Sequence, residues 1–226
     1  MRKWLAVGCG VMLALAAALT ALTLLIDGAG RCAPLMASVM EKYAPAEATG
    51  LPGEQYPAMA EMITGYLSGQ VDTFQFEFKE DGIRWQCFLD KEQRHMADVR
   101  GLFDLCRKVM LLSAGALVAL GLVACCLRAH KRRVARGFAG GCLLVLAALT
   151  GLAVWAVVDF DGLFVLFHRL SFTNDLWLLD PRTDMLIRLM PTAFFIHYAA
   201  LLGGGWLGLL LLMAAVARHL SARWKS

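Results

Sequence analysis

The chain has 226 residues, 59% of them hydrophobic and 18% charged, with a mean hydropathy of +0.59 and a formal net charge of +4. Soluble domains run nearer half apolar with about a quarter of residues charged, so the composition excludes an ordinary soluble domain and makes the bilayer the solvent. The positive balance argues for no nucleic-acid partner, because its basic residues gather where chain meets membrane and there face anionic lipid.

A hydrocarbon core about 30 Å thick is crossed by roughly 20 apolar residues in a helix, and lipid requires each span to satisfy its own backbone. Four stretches qualify, at about 4–26, 109–127, 138–158 and 193–216, and none contains Asp, Glu, Lys or Arg. The fold class expected is an all-α membrane protein: a single membrane domain over 1–226, a four-helix bundle with a small extracytoplasmic cap. The first stretch is longer than the 7–15 residues of a signal peptide's apolar region and is read as an anchor.

Orientation follows the basic residues, which short cytoplasmic segments retain. Arg2 and Lys3 precede the first span, Arg128, Lys131, Arg132, Arg133 and Arg136 fill the turn between the second and third, and Arg218, Arg223 and Lys225 follow the fourth. All 18 acidic residues lie instead in 27–108 and 159–192. Both termini are therefore expected in the cytoplasm and those two segments outside.

In the first outer segment, Leu35, Met36, Val39 and Met40 suggest a short amphipathic helix, and Pro57 to Leu67 a second, with Met59, Met62, Ile63 and Tyr66 packed on the membrane. Thr73 to Phe78 alternates with period two, Asp81-Gly82 signals a tight turn, and Ile83 to Phe88 resumes an extended pattern, so a β-hairpin is expected. Its Phe74, Phe76 and Phe78 share one face. A helix should begin at Asp90 and continue into the second span, placing Glu92, His95 and Asp98 on one stripe, where either carboxylate could orient the imidazole as a base needs.

The second outer segment is short and dense in Asp159, Asp161, His168, Phe172, Asn174, Trp177 and Asp180. Asp180-Pro181 marks a turn, and Pro191 is placed in the first turn of the fourth span. Anchored at both ends, this segment should bring His168 to His95. Isolated histidines are usually structural, which serves for His130 and His219; His197, inside the fourth span, is a secondary candidate. Of seven cysteines, Cys9, Cys125, Cys126 and Cys142 fall in spans, and Cys32, Cys87 and Cys106 allow at most one disulfide. No G-x-S-x-G and no phosphate-cradling loop is present. A metal held by the two histidines with Glu92 or Asp98 competes with metal-free acyl transfer, although no H-E-x-x-H supports it. A non-enzymatic outer cap that binds a partner or a metal is the alternative of another class.

Tyr66-Leu67, Glu92-x-x-His95-Met96-x-Asp98-Val99, Phe167-His168, Asn174-x-x-Trp177-x-x-Asp180-Pro181 and Pro191-x-x-Phe194-Phe195 together resemble the bacterial lipoprotein intramolecular transacylases, four-span enzymes of the cell membrane. The resemblance covers nearly the whole chain except 27–57, and departs at Ser171, where a second aromatic would precede Phe172. It implies a cofactor-free acyltransferase, with a diacylated bacterial lipoprotein and membrane lipid as partners. The sn-2 acyl chain would move to the α-amino group of the lipoprotein's N-terminal cysteine, giving the lyso-form. His95 and His168 would be catalytic, with Glu92 and Asp98 in support. Tyr66, Arg100, Phe172, Asn174, Trp177 and Asp180 would hold the substrate, and the aromatic hairpin and the groove between spans its acyl chains.

Overall fold

The computed structural model describes residues 2–80, 82–127 and 130–224, so Asp81, Arg128 and Lys225 lie outside the described residues. In chain order the elements are α1 (Arg2–Gly30), α2 (Ala33–Tyr43), α3 (Ala46–Thr49), a 3-10 turn (Gly53–Gln55) and α4 (Tyr56–Ser68). The hairpin β1 (Glu77–Glu80) and β2 (Ile83–Gln86) follows, then α5 (Asp90–Cys126), α6 (Lys131–Val158), α7 (Phe160–Ser171), α8 (Met185–Leu189) and α9 (Thr192–Arg223). Four of them, α1, α5, α6 and α9, are long and apolar enough to cross a membrane, as the hydropathy pattern requires. The chain divides into two compact units: residues 1–25, 106–158 and 201–226 form one, and 26–105 and 159–200 the other.

The first unit is built from the apolar lengths of the four long helices. Small residues let backbones approach, which is how helices associate where lipid offers no hydrophobic drive. A Cβ at Gly10 would strike the Val134 carbonyl, and one at Gly137 the Val7 carbonyl, so α1 and α6 meet through glycine. Ala14, Cys142 and Ala214 pack as one buried cluster, and Ala18, Leu146 and Leu210 as another. Hydrogen bonds also tie the bundle: the Trp206 indole donates to the Ala18 carbonyl at 2.9 Å, and the Thr20 hydroxyl to Ser113 Oγ at 2.8 Å. Large side chains such as Leu111, Leu112, Val118 and Leu122 remain exposed, as lipid-facing positions should.

The second unit has its own core, and here the periodic residues of the first outer segment are spent. Met36, Val39 and Met40 of α2 pack with Met59, Ile63 and Leu67 of α4, Phe74 and Phe88, and Leu186 and Leu189 of α8. The stripe on α4 expected to rest on the membrane is therefore buried within the protein. Tyr56 is fully buried, donates its hydroxyl to the Ala44 carbonyl and lies 2.9 Å from the Thr49 hydroxyl.

The hairpin is present, antiparallel with Phe78 opposite Trp85, and Gly82 takes the positive φ of 79° that its turn needs. Its first strand starts later than the alternation suggested. The Phe76 carbonyl still accepts the Cys87 N–H at 3.0 Å, and beyond it the Gln75 side chain takes the place of the ladder, donating to the Phe88 carbonyl at 2.9 Å and accepting the Phe88 N–H at 3.1 Å. Phe74 and Phe78 turn inward, Phe74 lying 4.5 Å from Phe88 and 5.2 Å from Tyr66 between ring centroids. That corrects the expectation of a hairpin face free for acyl chains.

α7 is an addition to the sequence reading. Asp159 caps it, its Oδ1 accepting the Gly162 N–H at 2.8 Å. Pro191 stands immediately before α9, with its carbonyl accepting the Phe194 N–H at 2.8 Å, one position earlier than expected. Among the described residues no two cysteines are joined in a disulfide.

Candidate functional site

The two histidines reach the second unit from different helices, His95 from the beginning of α5 and His168 from the last turn of α7. Nine charged residues stand between Asp90 and Lys108 and none between 109 and 127, so His95 lies ahead of the spanning part of α5. Both imidazoles are buried, His95 at 6% and His168 at 7% relative exposure. Their ring centroids are 6.2 Å apart and the rings are inclined by only 29°. Phe172 approaches His95 edge-on at 5.1 Å, while Phe164 at 4.2 Å and Trp177 at 5.0 Å flank His168.

The hydrogen bonding of the two rings differs. His168 Nδ1 lies 2.7 Å from the Phe164 carbonyl oxygen. A carbonyl only accepts, so Nδ1 carries the proton, and in the neutral ring the lone pair is left on Nε2. His95 Nδ1 is buried with no partner. An unpaired acceptor is better tolerated in an interior than an unpaired N–H, which favours the tautomer with the proton on His95 Nε2. Burial lowers the pKa of both rings. That of His95 is pushed down to about 4 by burial and by the neighbouring His168, against an upward pull from Asp98. For His168 the bond to the Phe164 carbonyl works against burial. Both imidazoles are therefore neutral at pH 7.

Glu92 shares the helical stripe, yet its carboxylate is occupied elsewhere. It is fully buried; Oε2 accepts the Leu89 N–H at 2.8 Å and Oε1 the Leu186 N–H at 2.6 Å. Leu89 is the residue before α5, so Glu92, three positions on, reaches back to the N-cap N–H as the acidic half of a capping box does, and its other oxygen serves the first turn of α8. One side chain thus joins the beginnings of two helices, which replaces the expected pairing of Glu92 with the imidazole. Burial raises its pKa despite those two bonds. Beside it, Lys91 Nζ lies 2.6 Å from buried Asp184, which also accepts the Asp180 N–H at 2.7 Å and the Thr183 hydroxyl at 2.9 Å. Burial pushes the Asp184 pKa upward, but the Lys91 ammonium and these donors bring it below its usual value.

Asp98 Oδ2 accepts the Asn174 amide at 2.9 Å, and Asn174 Oδ1 accepts the Leu176 N–H at 3.1 Å, fastening the loop after α7 to α5. His95, His168, Phe172, Asn174, Trp177 and Asp98 are thus drawn together, as their motifs suggested. The expected substrate residues Tyr66, Arg100 and Asp180, and the secondary candidate His197, are engaged differently. Arg100 stacks on Tyr66 at 5.0 Å and donates to the Val71 carbonyl at 3.3 Å. Asp180 binds its own turn through Arg182 Nη2 at 2.7 Å. His197 pairs with the Tyr43 hydroxyl at 3.2 Å.

Two hollows share Trp177, which lies against His168. One of about 80 Å³ is lined by both histidine rings and by Trp177, Leu186, Met190 and Phe195. The other, about 250 Å³, shares Trp177 and adds Arg169, Phe172, Thr173 and Asp175. Among the described residues no three His, Cys, Asp or Glu side chains gather as a metal site would require. Sequence reasoning missed Lys91, Asp184, the Leu186 N–H and the Phe164 carbonyl. Asp159 followed by apolar residues at helical spacing could have revealed α7, but backbone groups leave no mark in residue identities.

Three comparisons bear on this arrangement. The family model described as lipoprotein intramolecular transacylase Lit matches residues 11–195. A search of curated proteins gives no match. Among solved structures, the in meso structure of the membrane integral lipoprotein intramolecular transacylase Lit from Bacillus cereus is similar at a TM-score of 0.75 and 18% identity, over 95% of each chain. Two structures of the same Bacillus cereus protein with a single histidine replaced, one by arginine and one by alanine, are similar at a TM-score of 0.72 and 20% identity. They cover 95% of this chain and 91% and 93% of theirs.

Proposed function

This chain belongs to the lipoprotein intramolecular transacylase family, and from that premise we propose that it converts a diacylated lipoprotein into its lyso-form by moving the sn-2 acyl chain onto the α-amino group of the N-terminal cysteine. The observation that carries this reading is the pair of buried, neutral imidazoles facing each other at 6.2 Å, one with its tautomer set by a backbone carbonyl.

The chemistry is an O-to-N acyl shift. The amine nitrogen attacks the sn-2 ester carbonyl, a C–N bond forms, the C–O bond to glycerol breaks, and one proton passes from nitrogen to the glycerol oxygen. An α-amino group has a pKa near 8, so about a tenth is neutral and nucleophilic at pH 7. Once attached, the nitrogen must release a proton, and His168 Nε2, with its lone pair free, accepts it and returns it to the leaving oxygen. His95, too weak a base at a pKa of about 4, instead donates from Nε2 to the oxyanion of the tetrahedral intermediate. Ester and amine belong to one molecule, so holding them against the two rings supplies much of the acceleration.

Asp98 and Asn174 hold the loop bearing Phe172 and Trp177, while Glu92 and Lys91 hold the segment that lines the smaller hollow. They act as positioning residues. We place both termini in the cytoplasm and the histidines on the outer face, because the acid-free basic segments mark one side and all 18 carboxylates fall in the other two segments. An exported lipoprotein anchored in the outer leaflet presents its ester and amine at that face.

The test is replacement of either histidine by alanine in a bacterial strain lacking other N-acylating enzymes, with lipoprotein N-termini read by mass spectrometry. Lyso-form lipoprotein should disappear in both variants. Its undiminished presence would remove the histidines from the mechanism.

A further inference from the structure

The substrate of the proposed reaction is amphiphilic, and the two hollows that share Trp177 differ in chemistry in the same way. The smaller is walled by Leu179, Leu186, Ile187, Met190 and Phe195 around the imidazoles, an environment for glyceryl and acyl carbons. The larger lies against Trp177 and Phe172, both in contact with His168, and is lined by the polar groups of Arg169, Thr173, Asn174 and Asp175. Successive residues on a helix point about 100° apart. His168 is therefore turned inward and Arg169 outward, so α7 presents a base and a cation to adjacent spaces.

Those polar groups differ in what they have left to bind. Asn174 is consumed by Asp98 and by the Leu176 N–H. Arg169 and the carboxylate of Asp175 have no hydrogen bond or ion pair to any described residue. An unpartnered guanidinium offers five donors in a fixed fork, and the carboxylate beside it accepts only. Their charges cancel, which disfavours a strongly anionic ligand such as a phosphate. A ligand carrying carbonyl oxygens and N–H groups in alternation fits both.

Building on the reaction assigned above, we propose that this hollow is the subsite for the peptide backbone immediately following the lipidated cysteine, with Arg169 donating to its carbonyl oxygens and Asp175 accepting its N–H. Trp177 then divides lipid from peptide, and the scissile ester and the amine fall between, at the histidines. Binding the chain here holds the amine against His168 while the acyl chain occupies the apolar side. Arg169 thus determines specificity for a peptide-bearing substrate over free diacylglyceryl-cysteine.

The experiment compares two synthetic substrates in detergent micelles: a diacylglyceryl-cysteinyl peptide with four further residues, and diacylglyceryl-cysteine amide with none. For the unsubstituted protein kcat/KM favours the peptide. In Arg169→Ala the ratio of the two kcat/KM values should fall roughly tenfold, through KM of the peptide, with Arg169→Lys intermediate because it keeps charge but loses the fork. The melting temperature of Arg169→Ala should match the unsubstituted protein, since the side chain has no partner to lose. An unchanged ratio overturns the subsite, including the case in which both substrates lose activity equally and phosphatidylglycerol competes, which would make Arg169 a contact for lipid phosphate. Failure of the unsubstituted protein to convert either substrate would instead overturn the reaction assignment, and the subsite with it.

Discussion

Glu92→Gln separates a carboxylate that joins two helices from one that tunes the base. Gln is nearly isosteric, and its single carbonyl oxygen can still accept one of the two N–H groups, from Leu89 or from Leu186. Its NH2 then confronts the other N–H, donor against donor, in a site with no exposure to solvent. A hydrogen bond to a charged group contributes about 1.5–3 kcal/mol net, and stranding a buried donor costs about 1–3 kcal/mol. These overlap, so the expected loss is about 2–4 kcal/mol, a large part of a folding stability that is typically about 5–15 kcal/mol. Denaturation in mixed micelles, followed by tryptophan fluorescence, measures it. Because Leu186 lines the hollow beside the histidines, activity should fall together with stability. A variant as stable as the unsubstituted protein yet inactive would refute this reasoning and return Glu92 to direct action on the imidazole.

The buried His95 makes stability depend on pH. Its pKa falls from an ordinary 6.5 to about 4 on folding, so between those values the unfolded chain binds more protons, and stability present above pH 6.5 is lost as pH drops. From pH 7 to pH 5 the loss is about 2 kcal/mol, and a His95→Gln variant measured over the same range should show less of it. In the catalysed reaction kcat/KM should climb to about pH 8 as the substrate amine becomes neutral. An additional acid limb near pH 6.5 that vanished in His95→Gln would contradict the neutral, donating His95. In the helical bundle, Gly137→Leu drives a side chain into the Val7 carbonyl and should cost several-fold in folded yield, read by size-exclusion chromatography, whereas Gly140→Leu, with open space at its Cβ, should not.

What the sequence disclosed and what it hid follow from the range of the forces involved. Spans are legible because lipid imposes one local requirement, twenty apolar residues without a charge, and α5 emerged as a single helix because Asp90 and Glu92 open it and nothing interrupts it before Cys126. The helical spacing of Glu92, His95 and Asp98 was equally plain. Which partner each takes was not, since Glu92 is claimed by a backbone N–H 94 residues away and Asp98 by an amide 76 residues away. The aromatic alternation at Phe74, Phe76 and Phe78 gave the hairpin but not the direction of its apolar face, because whether it meets lipid or protein depends on α4. α7 was overlooked where Asp, Ser, Asn and Pro suggested loop throughout, although Phe160 to Ser171 carries a capped amphipathic helix. Tyr66 and Arg100 were expected to hold substrate, and the fold uses them to brace each other.

The central claim is an isomerisation, so the direct measurement is one in which mass does not change but connectivity does. Purified protein would be incubated with a synthetic diacylglyceryl-cysteinyl peptide and the product fragmented in a tandem mass spectrometer. The account predicts an unchanged parent mass, an acyl group on the cysteine nitrogen, a free sn-2 hydroxyl and an amine no longer open to acylating reagents, all abolished by His168→Ala. A substrate recovered with its N-terminal amine still free, or a product of lower mass from a hydrolysed ester, would contradict it.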